Sequence, residues 1–137
     1  MEIQLTNELQ TRLIQLAIEA RKRAYAPYSN YKVGAALHTA SGRIFTGANV
    51  ENAAYPNSMC AERVAIFKAV SEGEREFNAL AVVTVNGGTP CGACRQEMAE
   101  FGMDIIVLIA DVHGNLKQKA SLAELLPGAF TPGDLKT

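Results

Sequence analysis

Only three cysteines occur in 137 residues, and two of them stand three positions apart: Cys60, Cys91 and Cys94. They lie in Cys60-Ala61-Glu62-Arg63 and in Pro90-Cys91-Gly92-Ala93-Cys94, each where an irregular stretch gives way to a helical pattern. A fold that uses them together has to bring two helix starts to one point. Taken alone, Cys60 reads as a small buried hydrophobe, and Cys91 with Cys94 also reads as a redox pair. An odd cysteine count without an export signal makes metal or redox chemistry the more natural use than disulfides. Taken together, the two motifs point to a metal site.

The hydrophobic periodicity places these motifs. Residues 7–24 read as an amphipathic helix, with Leu9, Leu13, Leu16, Ala17, Ala20 and Ala24 at three- and four-residue intervals, Thr6 as a cap and Pro27 as a stop. Residues 33–39 and 43–48 read as two strands joined at Ala40-Ser41-Gly42. An irregular polar segment, 49–58, precedes a helix over 60–72 that Gly73 ends. A valine-rich strand over 80–85 and the turn Asn86-Gly87-Gly88 lead to a helix from about Cys91 to Phe101. The apolar run 105–110 suits a strand covered on both faces, followed by a turn through His113 and a weaker strand over 116–119. Ser121 and Glu124 form a capping box for a short last helix closed by Pro127. A hairpin followed by strand–helix alternation predicts an α/β fold, a three-layer α/β/α domain with a mixed sheet of about five strands, occupying 1–137 as one domain.

Charge narrows the partners. The formal net charge is −1, and the one short basic cluster, Arg21-Lys22-Arg23, reads as a solvated helix end. A polyanion-gripping protein presents a basic stripe, because phosphate contacts supply most of its affinity. Its absence points away from nucleic acid and towards a small neutral ligand. No apolar run approaches a bilayer span, and the opening Met1-Glu2-Ile3-Gln4 lacks a basic region followed by an apolar one, so no membrane association and a cytoplasmic location are expected.

Cys91 and Cys94 share a helix face and can hold one metal ion, with Cys60 as a third sulfur. The histidines, His38 and His113, are distant in sequence from these motifs. A structural zinc normally has four protein ligands, whereas a catalytic zinc keeps one position for water. Three thiolates leave Zn²⁺ with a charge of −1; two helix N-termini offset roughly one unit of it, and Arg63 adds a full positive charge, expected as a hydrogen bond to a ligand sulfur. Glu62, in C-x-E rather than standing alone, is the natural proton carrier beside an activated water.

At this point the sequence resembles the zinc-dependent cytidine deaminase family, whose signature is histidine or cysteine, one residue, glutamate, then P-C-x-x-C. The all-cysteine version resembles the short, homotetrameric branch. Tyr25-Ala26-Pro27-Tyr28-Ser29 with Tyr31-Lys32-Val33-Gly34-Ala35-Ala36-Leu37 is similar to the family's opening block, Asn49-Val50-Glu51-Asn52-Ala53-Ala54-Tyr55 to its nucleoside-binding block, and Leu125-Leu126-Pro127-Gly128-Ala129-Phe130 to its closing segment. The likeness runs from about residue 8 to residue 130. It implies one Zn²⁺ per chain at Cys60, Cys91 and Cys94, Glu62 as the proton shuttle, and Asn49 and Glu51 on the ribose 3′-hydroxyl. Ala53, Ala54, Tyr55 and the backbone around Ala61 complete the pocket. Tyr31 stands where the family often has phenylalanine against the pyrimidine, and its hydroxyl then needs a partner. The resemblance further implies that Phe130 packs on the base in a neighbouring subunit's site. The segment Pro56-Asn57-Ser58-Met59 departs from the commoner wording.

The activity so implied is hydrolytic deamination of free cytidine and deoxycytidine in pyrimidine salvage. One rival, a deaminase of another cytosine nucleoside of the blasticidin S type, shares the zinc motif and differs in the sugar-facing block; a second, a non-catalytic zinc-stabilised interaction domain, predicts a closed four-ligand metal and no ammonia release. A third, a polynucleotide editor, is weakened by the charge balance.

Overall fold

The computed structural model describes residues 5–136; Met1–Gln4, on which the export reading rests, lie outside the described residues. Three helices, one further short helix and five strands follow in the order α1 (Asn7–Arg21), β1 (Gly34–Thr39), β2 (Ile44–Ala48), α2 (Ala61–Ser71), β3 (Phe77–Thr84), α3 (Gly92–Ala99), β4 (Ile106–Asp111), β5 (Leu116–Ser121) and α4 (Leu122–Leu125). The strands form one sheet in the order β2-β1-β3-β4-β5. Only β3 and β4 run parallel; the other neighbours are antiparallel. The sheet is therefore mixed, as the hairpin and the alternation predict.

Strand periodicity divides the core in two. Ala35, Leu37, Leu80, Val82, Val107 and Ile109 face one side, where Ala65, Ile66 and Met98 of α2 and α3 cover them. Ala36, Ala79, Ala81, Val83, Leu108 and Ala110 face the other, under Leu13, Ile14 and Ala17 of α1. Alternating side chains thus serve two buried faces, which makes the layers α/β/α. Burying a side chain such as Met98, fully enclosed, contributes about 1.5–3 kcal/mol and fixes the helix that carries Cys94.

Several boundaries differ from the sequence expectation. The first helix ends at Arg21 rather than residue 24, because the Tyr25 N–H donates to the Asn49 carbonyl (2.9 Å) and draws the chain across to the end of β2. The third strand begins at Phe77, three residues early: Asn78 is polar, but its amide is used by His38 Nδ1 and the Thr39 carbonyl, both at 3.1 Å. The third helix ends at Ala99, two residues before Phe101, and β5 runs on to Ser121. The expected caps are present: Thr6 accepts from the Leu9 N–H, and Ser121 with Glu124 forms a reciprocal box.

The register gathers distant segments at one end of the sheet. Gly34 opens β1 opposite both Ala48, the end of β2, and Val83, near the end of β3. The residues before β1, after β2 and after β3 consequently lie side by side. A Cβ on Gly47 would stand 2.4 Å from the Ala61 carbonyl oxygen and 2.7 Å from the Ala65 nitrogen, so only glycine lets the start of α2 lie this close to β2.

Candidate active site

Cys60 is the N-cap of α2 and Cys91 the N-cap of α3, both with extended backbone. Cys94 follows one turn into α3 and is fully buried. The sulfurs lie at 3.9 Å for Cys60–Cys91 and 3.3 Å for Cys91–Cys94, and all three fall within 4.8 Å of one another. Tetrahedral zinc with sulfur bonds of about 2.3 Å needs sulfurs about 3.8 Å apart, so the cluster fits the ion after shifts of no more than about an ångström. Among the described residues no histidine, aspartate or glutamate joins the cluster, and His38 and His113 lie elsewhere, in β1 and in the β4–β5 turn. Three donors of this kind suit a metal that keeps a position for water or substrate.

Two helix N-termini converge on the sulfurs and favour thiolate. Arg63 Nη2 donates to Cys60 Sγ at 3.4 Å, while its buried Nε has no partner. The Cys60 thiol is pushed down to about 5, first by its hydrogen bond with Cys94 and then by Arg63, against the opposing effect of burial. Cys94 moves the other way, because it is hydrogen-bonded to the Cys60 thiolate, buried, and near Glu62. Glu62 is itself buried, 4% exposed; desolvation first, then the Cys60 charge, push its carboxyl up. A carboxyl so placed exchanges a proton at higher pH than an ordinary glutamate.

These groups open onto one cavity of about 570 Å³. Of the residues singled out from sequence, Tyr31, Asn49, Glu51, Tyr55, Cys60, Glu62, Arg63 and Cys91 line it. Cys94 lies behind the wall and reaches the site through the sulfur cluster. Ala61, fully buried, and Ala53 and Ala54, exposed, are not among the lining residues. Phe130 is 56% exposed and outside its own chain's cavity; Gln96 Nε2 donates to its carbonyl at 2.7 Å. The lining also includes Ser29, Met59, Thr84, Gly88 and Thr89, which sequence reasoning did not select. The available signal was positional: 84–89 follow the end of a parallel strand, where α/β sheets place their ligands.

Asn49 and Glu51 are held by the segment before β1. Asn49 Oδ1 accepts from the Val33 N–H and its Nδ2 donates to the Tyr31 carbonyl, each at 2.9 Å. Glu51 accepts from the backbone N–H groups of Tyr28 and Ser29 at 2.9 and 3.1 Å and, through its other oxygen, from the Ser29 hydroxyl. The Ser29 hydroxyl first, with these backbone donors, holds the Glu51 carboxyl below its ordinary value. Tyr28 and Tyr55 meet edge to face with centroids 5.8 Å apart beside it.

A mixed-sheet α/β fold whose helix starts gather three sulfurs, two of them on a cavity wall they share with a buried carboxylate, defines a zinc-site enzyme. Residues 7–110 match the family defined by the cytidine and deoxycytidylate deaminase zinc-binding region. A cytidine deaminase of Halalkalibacterium halodurans is 51% identical over 126 residues, 90% of this chain and 95% of that one. The crystal structure of cytidine deaminase from Burkholderia pseudomallei superposes with a TM-score of 0.83 at 48% identity, covering 91% of this chain and 99% of that one. That of cytidine deaminase from Mycobacterium tuberculosis gives 0.77 at 36% identity, covering 87% and 94%. The chain belongs to the cytidine and deoxycytidylate deaminase family, and zinc is its cofactor.

Proposed function

We propose that this chain hydrolyses the 4-amino group of free cytidine and deoxycytidine, yielding uridine and deoxyuridine with release of ammonia. The observation that carries the reading is the buried Glu62 carboxyl on the wall of a cavity it shares with the sulfurs of Cys60 and Cys91. The relatives, named as cytidine deaminases over nine-tenths of the chain, support the substrate class.

Cys60, Cys91 and Cys94 would hold the zinc, which when bound supplies the Lewis acidity that makes water a nucleophile near neutral pH. Glu62 accepts a proton from the attacking water and delivers it to N3 of the base as oxygen adds at C4. A second proton passes through the same carboxylate to N4, the C4–N4 bond breaks, and ammonia departs. Tyr31 stacks on the pyrimidine. Asn49 and Glu51 take the sugar hydroxyl with what their internal bonds leave free: one N–H and one lone pair on the amide, and one lone pair on the second carboxylate oxygen. Ala53, Ala54, Tyr55 and the backbone at Ala61 would complete the pocket, Tyr55 from the cavity wall and Ala61 from the start of α2 beside Cys60.

The proposal extends to a homotetramer in which Phe130 enters a neighbour's site. Its support is the exposure of Phe130 outside its own cavity, together with exposed Tyr25, Tyr55 and Phe67. It also takes the whole chain as one domain working in the cytoplasm in pyrimidine salvage. No described helix is long and apolar enough to cross a membrane. Absorbance-monitored turnover of cytidine, deoxycytidine and a panel of other cytosine nucleosides tests the reading; no conversion of either of the first two would overturn it.

A further inference from the structure

Four groups form a strap across one end of the cavity. The Tyr31 hydroxyl donates to Asn86 Oδ1 at 2.7 Å, across 55 positions of sequence. Thr84 Oγ1 donates to the same oxygen at 3.2 Å and accepts the Gly88 N–H at 2.8 Å. Tyr31, Thr84 and Gly88 line the cavity, whereas Asn86 does not. The strap joins the segment before β1 to the loop that runs from β3 into Cys91. It therefore fixes the Tyr31 ring relative to the chain that carries a metal-site sulfur.

We propose that Asn86 is a positioning residue for nucleoside binding, acting through the Tyr31 hydroxyl to set where the aromatic ring stands over the base. The proposal rests on the cytidine-deaminating reading of this cavity. Asn86 is suited to the task because a single carbonyl oxygen has two lone pairs and here accepts two hydroxyls. Without that acceptor the Tyr31 side chain keeps its place on the wall but loses the bond that selects one orientation. The hydrogen bond is solvent-exposed, so its loss is worth a small factor in binding, not the loss of activity.

Gly88 provides an independent handle. A Cβ there would stand 2.7 Å from the Tyr31 hydroxyl oxygen, while the Asn86 and Thr84 oxygens would remain at 3.6 and 3.8 Å, ordinary contact. Gly88→Ala therefore strikes the strap at the tyrosine hydroxyl alone, and removing that hydroxyl removes the collision.

The test is KM and kcat for cytidine, with calorimetric uridine binding, in the zinc-loaded native protein and in Asn86→Ala, Asn86→Asp, Tyr31→Phe, Gly88→Ala and the doubles Tyr31→Phe/Asn86→Ala and Tyr31→Phe/Gly88→Ala. Asn86→Ala should raise KM and the uridine Kd by about 2- to 10-fold, with kcat falling less than KM rises. Asn86→Asp, which keeps the acceptor, should recover most of the loss. Adding Asn86→Ala to Tyr31→Phe should cost no more than Tyr31→Phe alone, and Tyr31→Phe should suppress the defect of Gly88→Ala. Additive losses in the Asn86 double, or no suppression in the Gly88 double, would overturn the proposal while leaving the deaminase reading intact. A native protein that neither converts cytidine nor binds uridine would instead overturn that reading, and this proposal with it.

Discussion

The guanidinium of Arg63 lies one helical turn from Cys60 and donates to its sulfur through Nη2 at 3.4 Å. The hydrogen bond with Cys60 holds the guanidinium charged beyond its ordinary range, and in return Arg63 adds to the effect of Cys94 in stabilising the Cys60 thiolate. A positive charge shared with one sulfur makes the three-cysteine donor set less negative, and so keeps the metal acidic. Arg63→Gln should move the acid limb of the kcat/KM profile to higher pH and lower the rate near neutrality roughly 10-fold or more. Arg63→Lys, with charge but no planar fork, should recover only part of the loss. An acid limb that stays in place would refute this account.

Glu62, the proposed proton carrier, is held at a cost to the fold. Burial pushes its carboxyl up, the Cys60 charge adds to that, and an apolar or neutral group in its place would meet no such penalty. Glu62→Gln keeps the volume and removes the proton carrier. The expected outcome is a kcat lowered at least about 100-fold with one zinc per chain retained and a thermal midpoint equal to or above that of the native protein. Metal analysis, steady-state kinetics and calorimetry read these separately; turnover near the native rate would end the role given to Glu62.

The two halves of this site were legible to different degrees. The sulfur triad could be read because its determinants are local: the structure places Cys60 and Cys91 at N-caps, with Cys94 one turn beyond Cys91. The continuous apolar run 105–110 and the order of strands and helices likewise foretold a sheet buried on both faces. The Tyr31–Asn86 bond could not be read, because it depends on Gly34 pairing with Val83, a register that no property of either segment announces. The same applies to Asn49, whose residue type suggests a sugar ligand but whose amide also braces Tyr31 and Val33. Where the helix at 7–24 stopped early, a tertiary hydrogen bond to Asn49 outweighed favourable local periodicity.

Metal removal should act on stability as well as rate. The cluster links the start of α2 to the start of α3, so an ion that binds only the folded chain adds its binding free energy to folding. Dialysis against a chelator should abolish cytidine turnover and lower the thermal midpoint by several degrees, and stoichiometric zinc should restore both. A midpoint and a rate that survive verified loss of zinc would contradict the site.

Far from the cavity, His38 gives the chain a second, independent pH dependence. Its ring is 7% exposed in β1, and burial lowers its pKa from the ordinary value of 6.5. Asn78 explains which form is held: its Nδ2 donates both to the Thr39 carbonyl and to His38 Nδ1, so the amide is oriented by the backbone and the imidazole must accept. Protonation would set a donor against a donor. Because the folded pKa lies below the unfolded one, the unfolded chain takes up the proton first. Stability is complete above about pH 6.5 and falls as pH drops through that value, levelling only below the folded pKa. Thermal midpoints measured between pH 7.5 and pH 5 should therefore drop further for the native chain than for His38→Gln, which cannot titrate. Equal pH dependence in the two proteins would show that His38 ionises alike in the folded and unfolded states.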